Sequence, residues 1–440
     1  MTVQVPKNRE ELLKMQEEAG VVFPHSDDTS VFGEPLTVGG RVIPNRICYQ
    51  AMEGCDSTEG GVPDELTRRR YQRFAKGGAG LIWYEATAVL PEGRANPRQS
   101  YIHEGNLDAF RREVEEIKKT CLEENGYEPV VICQLTHSGR YSKPEGVPAP
   151  LIAYNNPIFE KDNPIPKDRI VTDEYLDTVK EALVKGAALA ERAGFDGADI
   201  KCCHRYLLSE LLSAYEREGR YGGSFENRTR LFREAVEGAI AGAGRDFIIT
   251  TRMNAYDGFP HPYGFGVNPG EGITPDFSEA IKLVKILGEK GVRLVDITMG
   301  NPYFNPHVNR PFAKGGYDHP EHPLFGVYRM LEGIGQIKRA VPDMAVISSG
   351  ISFLGGGAVG VLAGAIREGW FDMAGFGRQT LAYPDVAKDL VTKGEMDQGR
   401  LCLACGKCTE IMRQKGGTPG CVVRDGAVYA PLYRELVLKK

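Results

Sequence analysis

The sequence predicts an α/β chain: a (β/α)8 TIM barrel carrying a short cysteine-rich C-terminal extension. Three observations lead there. Eight short apolar, β-rich runs recur along 440 residues. Amphipathic segments of helical period separate them. No G-x-G-x-x-G follows the first run, which disfavours the alternative of an open doubly wound sheet.

In order, residues 1–30 read as a helical N-terminal extension and residues 31–394 as the barrel. The strand runs are 46–52 (RICYQAM), 81–87 (LIWYEAT), 130–135 (VVICQL), 195–201 (FDGADIK), 247–253 (FIITTRM), 294–299 (LVDITM), 344–349 (MAVISS) and 371–376 (FDMAGF). Between them lie helical patterns such as 107–123, 172–193, 228–243, 276–290 and 324–340. Two irregular stretches, 138–168 and 254–275, follow strands, so both are expected to arch over the catalytic face as lids or substrate walls. Residues 395–440 form the cysteine-bearing appendage.

Composition narrows the function classes. Hydrophobic residues make up 42%, ample for a core, and the net charge is only -5. No basic stretch is interleaved with aromatics, which argues against a nucleic-acid surface. The polar start MTVQVPKNREELLKMQEEAG lacks the apolar core of a signal peptide. No apolar run reaches the roughly 18 residues of a membrane span. The expectation is a cytoplasmic protein, compatible with a homo-oligomer, whose thiols stay reduced.

Four of those thiols are patterned. Cys402, Cys405, Cys408 and Cys421 form C-x2-C-x2-C-x12-C, with a Gly-Gly-Thr-Pro-Gly turn before the last. Four thiolates suit a 4Fe–4S cluster. They would also hold a structural zinc, or stand as unligated or disulfide cysteines. The other six cysteines are scattered and read as small buried hydrophobes.

Barrel chemistry sits where strands end. The seventh and eighth runs end in Ser349–Gly350 and Gly377–Arg378, glycines and a cation that suit a phosphate. Small residues at the first two exits leave room for a flat ring. Gln134 can donate to and accept from a heterocycle's edge. Arg252 can neutralise negative charge on a reduced ring.

These residues resemble the Old Yellow Enzyme superfamily of FMN barrels over residues 31–390. The markers are Asn45–Arg46, GGAGL (77–81), QLTHSGR (134–140), GFDG (194–197), RYGGSFENR (220–228), the Gly377–Arg378 ending and Tyr383–Pro384–Asp385. The resemblance implies FMN contacts at Ala51, Met52, Gly54, Ala86, Gln134, Arg252, Gly350, Gly377 and Arg378. With the cysteines it points to the iron–sulfur branch of 2,4-dienoyl-CoA reductases and trimethylamine dehydrogenases, in which the cluster lies beside the flavin. The cysteine spacing is similar to that of the amine dehydrogenases. In that branch a nucleotide-binding half follows the cluster, whereas this sequence stops at Lys440. On that reading NAD(P)H, or a separate electron-transfer protein, delivers electrons directly.

Ene-reductases of this superfamily place a His pair, or His and Asn, over the flavin, with a proton-donating tyrosine two residues on. The matching positions are Lys201, His204 and Tyr206. An ammonium and an imidazole can both donate to an enone oxygen. Tyr206, a phenol of ordinary pKa about 10, stays protonated and can protonate the α-carbon. The bland alternatives are a Lys201–Glu53 ion pair and a core tyrosine. At the sixth exit Tyr303 and His307 are both candidates for substrate contact. Amine dehydrogenases have an aspartate where Asn301 stands, and a cationic Lys201 would repel an amine. The expected function is therefore reduction of an activated C=C bond in an enone, enoate or steroid-like enone. Amine oxidation with electrons leaving through the cluster is the second expectation. A zinc-knuckled binding module is the third.

Overall fold

The computed structural model describes residues 4–270 and 272–439. An antiparallel hairpin, β1 (Leu36–Val38) and β2 (Arg41–Ile43), precedes eight parallel strands. These are β3 (Ile47–Tyr49), β4 (Leu81–Ala88), β5 (Val130–Thr136), β6 (Gly197–Ile200), β7 (Ile248–Asn254), β8 (Leu294–Thr298), β9 (Ala345–Ile347) and β10 (Ala374–Phe376). Each pairs with the next, β10 pairs with β3, and a parallel bridge from Ile347 to Met373 closes the ring. The result is a (β/α)8 barrel. Every barrel-strand residue is buried, because helices cover the outer face and side chains fill the inner one; this is why the runs read as largely apolar.

The hairpin sits under the barrel. Val38 and Ile43 pack with Cys48, Leu81, Trp83, Ile132, Leu294 and Ile347 in one cluster that fills the N-terminal end. The opposite end carries the strand exits. The enclosing helices start and stop on local signals. Thr172 caps Asp173–Arg192 by accepting from the Tyr175 amide at 3.2 Å. Gly126, at φ 83°, ends Leu107–Asn125 in the left-handed region that glycine enters without cost. No helix among the described residues is long and apolar enough to cross a membrane.

The two long loops are locked to one another. Phe159 and Phe259 meet edge to face at 5.3 Å, and both contact Phe304 of the sixth exit. Only part of the first loop, around Tyr141–Gly146, walls a cavity near the site; the second loop braces it from outside. The RYGGSFENR motif is a brace as well. Arg228 pairs with Glu279 at 2.7 Å and stacks on Tyr215.

The cysteine appendage is fastened to the helix Glu65–Lys76. Asp425 takes Arg69 at 2.7 Å and also Arg73. The Thr418 hydroxyl donates to Asp56 at 2.6 Å, and Asp56 is held by the buried Arg70, which also pairs with Glu85. Ile411, Val422, Tyr429 and Tyr433 give the appendage a small core of its own.

Candidate functional site

The strand exits surround a cleft of about 1000 Å³. One end is an anion recess. Gly350, Ile351, Ser352 and Gly377 supply backbone, and Gly350 stands at φ 75°, where a Cβ is strained. Arg378 donates to the Pro311 carbonyl at 3.2 Å, while its Nη1 is buried with no partner. Arg310 lies beside it, lowered to about 10 by burial and by the repulsion of Arg378 and Arg413. Two crowded guanidiniums, one with an unpartnered donor, beside a glycine-lined backbone fit a phosphate. Arg310 was not foreseen; its signal is a lone arginine in the loop after the sixth strand.

The middle of the cleft is a polar floor. Arg252 donates to the Ala51 carbonyl at 2.8 Å and pairs with Asp296 at 3.1 Å. Asp296 also accepts from Gln50 and Ser349, each at 2.9 Å. Burial pushes its carboxyl up to about 6. Gln134 gives one amide hydrogen to Asp199 at 2.7 Å, where Trp83 also donates. Burial pushes Asp199 up to about 7. Gln50, Asp199 and Asp296 are thus supports that sequence reasoning missed, although polar residues inside apolar runs were their signal. Ala51 and Met52 border the cleft. Gly54 and Ala86 do not. Gly54 backs onto the Glu85 carboxylate with no room for a side chain, and Ala86 bonds to the Met52 carbonyl. Both shape the floor from behind.

At the other end, β6 runs into Lys201, His204 and Tyr206, all on the cleft. His204 and Arg205 are consecutive left-handed residues, at φ 64° and 59°. Such backbone costs of order 1–3 kcal/mol each and persists only where surroundings enforce it. Here the buried Arg205–Asp257 pair at 3.0 Å does so. The kink leaves His204 Nε2 buried without a partner. Burial and the charges of Arg252 and Lys201 hold the imidazole neutral, well below its ordinary value.

Lys201 has no ion pair with Glu53. Its ammonium sits 3.7 Å above the Tyr206 ring, and burial lowers its pKa. Glu53 instead takes two phenols on one oxygen: Tyr206 at 2.5 Å, and Tyr303. The phenols are 2.8 Å apart. Tyr141 packs at a tilt against Tyr303 with centroids 4.1 Å apart and accepts from Asn301. Between the two sixth-exit candidates, Tyr303 borders the cleft, whereas His307 turns away to Tyr317 at 2.7 Å.

Cys402, Cys405, Cys408 and Cys421 wall a separate cavity of about 380 Å³. All ten cysteines are free thiols. Cys408, Arg378 and Leu381 border both this cavity and the cleft. Burial pushes the Cys402 thiol up to about 11, against the pull of Arg378. Among the described residues no three His, Cys, Asp or Glu side chains converge tightly enough for one metal ion.

Residues 31–395 match the model of the NADH:flavin oxidoreductase / NADH oxidase family. The chain belongs to this family. It is a flavin oxidoreductase. It is 30% identical over 270 residues to an NADPH dehydrogenase of Clostridium acetobutylicum, covering 61% of this chain and 73% of that one. Its fold is similar to that of a 2-naphthoyl-CoA reductase solved with 2-naphthoyl-CoA, at TM-score 0.73 and 21% identity, over 90% of this chain. It also resembles histamine dehydrogenase from Rhizobium sp. 4-9, at TM-score 0.65 and 18% identity, over 88% of this chain. The family member spans only 57% and 51% of those two longer chains.

Proposed function

We propose that this protein reduces the activated C=C bond of an α,β-unsaturated carbonyl compound, with FMN and a 4Fe–4S cluster as cofactors and NAD(P)H as electron donor. One observation carries the reading. An unpaired ammonium, an unpaired imidazole nitrogen and a phenol meet on one wall of a cleft whose far end is an anion recess.

Arg378, Arg310, Gly350 and Gly377 would hold the FMN phosphate, and Gln134, Arg252, Ala51 and Met52 its ring. When bound, FMN supplies hydride to the substrate's β-carbon. Lys201 and the neutral His204 donate to the carbonyl oxygen, stabilising the charge that develops there. Tyr206 gives its proton to the α-carbon.

The four cysteines would hold the cluster, which would supply single-electron transfer between the flavin and a separate electron-transfer protein. Their place around one cavity suits a cubane, whose thiolates bind four different irons. A lone zinc needs sulfurs about 2.3 Å from one point.

Glu53 favours a second reading. A carboxylate among Tyr141, Tyr206 and Tyr303 suits an organic cation. That is the corner an amine dehydrogenase needs, although the Lys201 ammonium already occupies one ring face. Anaerobic turnover separates the two: the first reading expects oxidation of the reduced enzyme by enones, and methylamine oxidation without enone turnover would overturn it. A colourless protein lacking flavin and iron absorption would favour the zinc module.

A further inference from the structure

The carboxylate corner has two sides. Glu53 and Tyr303 border the cleft and also a second cavity of about 2150 Å³, walled by residues 94–98, 143–146 and 412–417. Tyr206 borders the cleft alone and is 1% exposed. Once Tyr206 has lost its proton, another must reach it from water. Among the described residues its hydroxyl hydrogen-bonds only Glu53 and Tyr303, so while the cleft is filled by substrate or product a replacement passes through one of them.

We propose that Glu53 is a proton relay, returning protons from the second cavity to Tyr206; this rests on Tyr206 being the proton donor. Both phenols donate to the same Glu53 oxygen, so the carboxylate is the shared acceptor at the centre of the corner. A carboxyl exchanges protons with water far more readily than a phenol does, which favours Glu53 over Tyr303 as the carrier.

The step balances. Hydride brings the electron pair to the β-carbon, and the Tyr206 O–H bond breaks as its proton bonds to the α-carbon. The Glu53 carboxylate takes a proton from water in the second cavity. The phenolate then takes that proton, and Glu53 is a carboxylate again. Each turnover consumes one solvent proton, as saturation of C=C by hydride requires.

The alternative is that Glu53 merely holds the Tyr206 ring in place. Holoenzyme Glu53→Gln and Glu53→Ala separate the two. A relay predicts that pre-reduced Glu53→Gln completes its first turnover with an enone at near wild-type rate, because Tyr206 still carries one proton. Later turnovers slow about 10²-fold, the scale of one general acid–base step. Reduction of the flavin by NAD(P)H stays unchanged. Acetate or formate added to Glu53→Ala restores turnover in proportion to its concentration. In the resting protein, the carboxylate infrared band that Glu53→Gln removes shifts in Tyr206→Phe. Equal slowing of the first and later turnovers without acid rescue, undiminished turnover in Glu53→Gln, or an unmoved band overturns the relay. If Tyr206→Phe turns over enones as fast as wild type, the reading of Tyr206 itself fails, whatever Glu53 does.

Discussion

Replacing Lys201 by methionine should make the protein more stable and less active. Its ammonium belongs to a residue only 4% exposed, and no carboxylate lies within ion-pair distance among the described residues. Taking such an ion from water costs several kcal/mol even after relaxation. The Tyr206 ring face at 3.7 Å returns about 2 kcal/mol. Glu53 and Asp199 act on it only through space. The net debt is about 1–3 kcal/mol, and a methionine of similar length removes it. For a chain this long that raises Tm by about 1–6 °C. Thermal unfolding of flavin-free protein reads it without interference from ligand binding. The pH dependence has a definite sign. The folded pKa of Lys201 is depressed, so the unfolded chain binds more protons, and wild-type stability climbs as pH rises towards 10.5. The advantage of Lys201→Met should therefore shrink over that climb. Enone turnover should fall about 10²–10³-fold, the scale of a lost oxyanion donor. A variant that is destabilised, or stabilised with full activity, refutes the view that an unpaired charge is stored here for catalysis.

Three further substitutions test the rest of the site. Tyr206→Phe should slow enone reduction by about 10²–10⁴-fold in stopped-flow reoxidation while FMN affinity stays as in wild type. Arg378→Gln should weaken FMN binding by about 10–100-fold in fluorescence titration, because a charge-assisted hydrogen bond contributes about 1.5–3 kcal/mol. Cys405→Ala should lower the iron content of anaerobically purified protein, and a full iron complement would remove Cys405 from the ligand set.

The barrel was legible because buried parallel strands leave apolar runs that hardly depend on partners. The run 130–135 became Val130–Thr136 and 294–299 became Leu294–Thr298. The run 46–52 overshot: β3 stops at Tyr49, and although the Gln50 amide still donates to the Phe376 carbonyl, its side chain turns inward to bond Asp296 and Ser349 across the barrel. The sixth exit was legible only as a choice between Tyr303 and His307, because which side chain faces inward depends on the turn at Asn301–Asn305. Glu53 was weighed against Lys201 alone. Its real partners lie 153 and 250 residues away, a distance that no local pattern encodes. The loops around 138–168 and 254–275 read as lids, but the three phenylalanines that lock them belong to three separate segments.

The hairpin stopper beneath the barrel has a kinetic consequence. With the lower end filled, the cleft lies at the strand-exit end, and a reductant and an acceptor that share it would take turns there. Double-reciprocal plots at several fixed reductant concentrations should then run parallel, the ping-pong pattern of an enzyme that stores its electrons between two visitors.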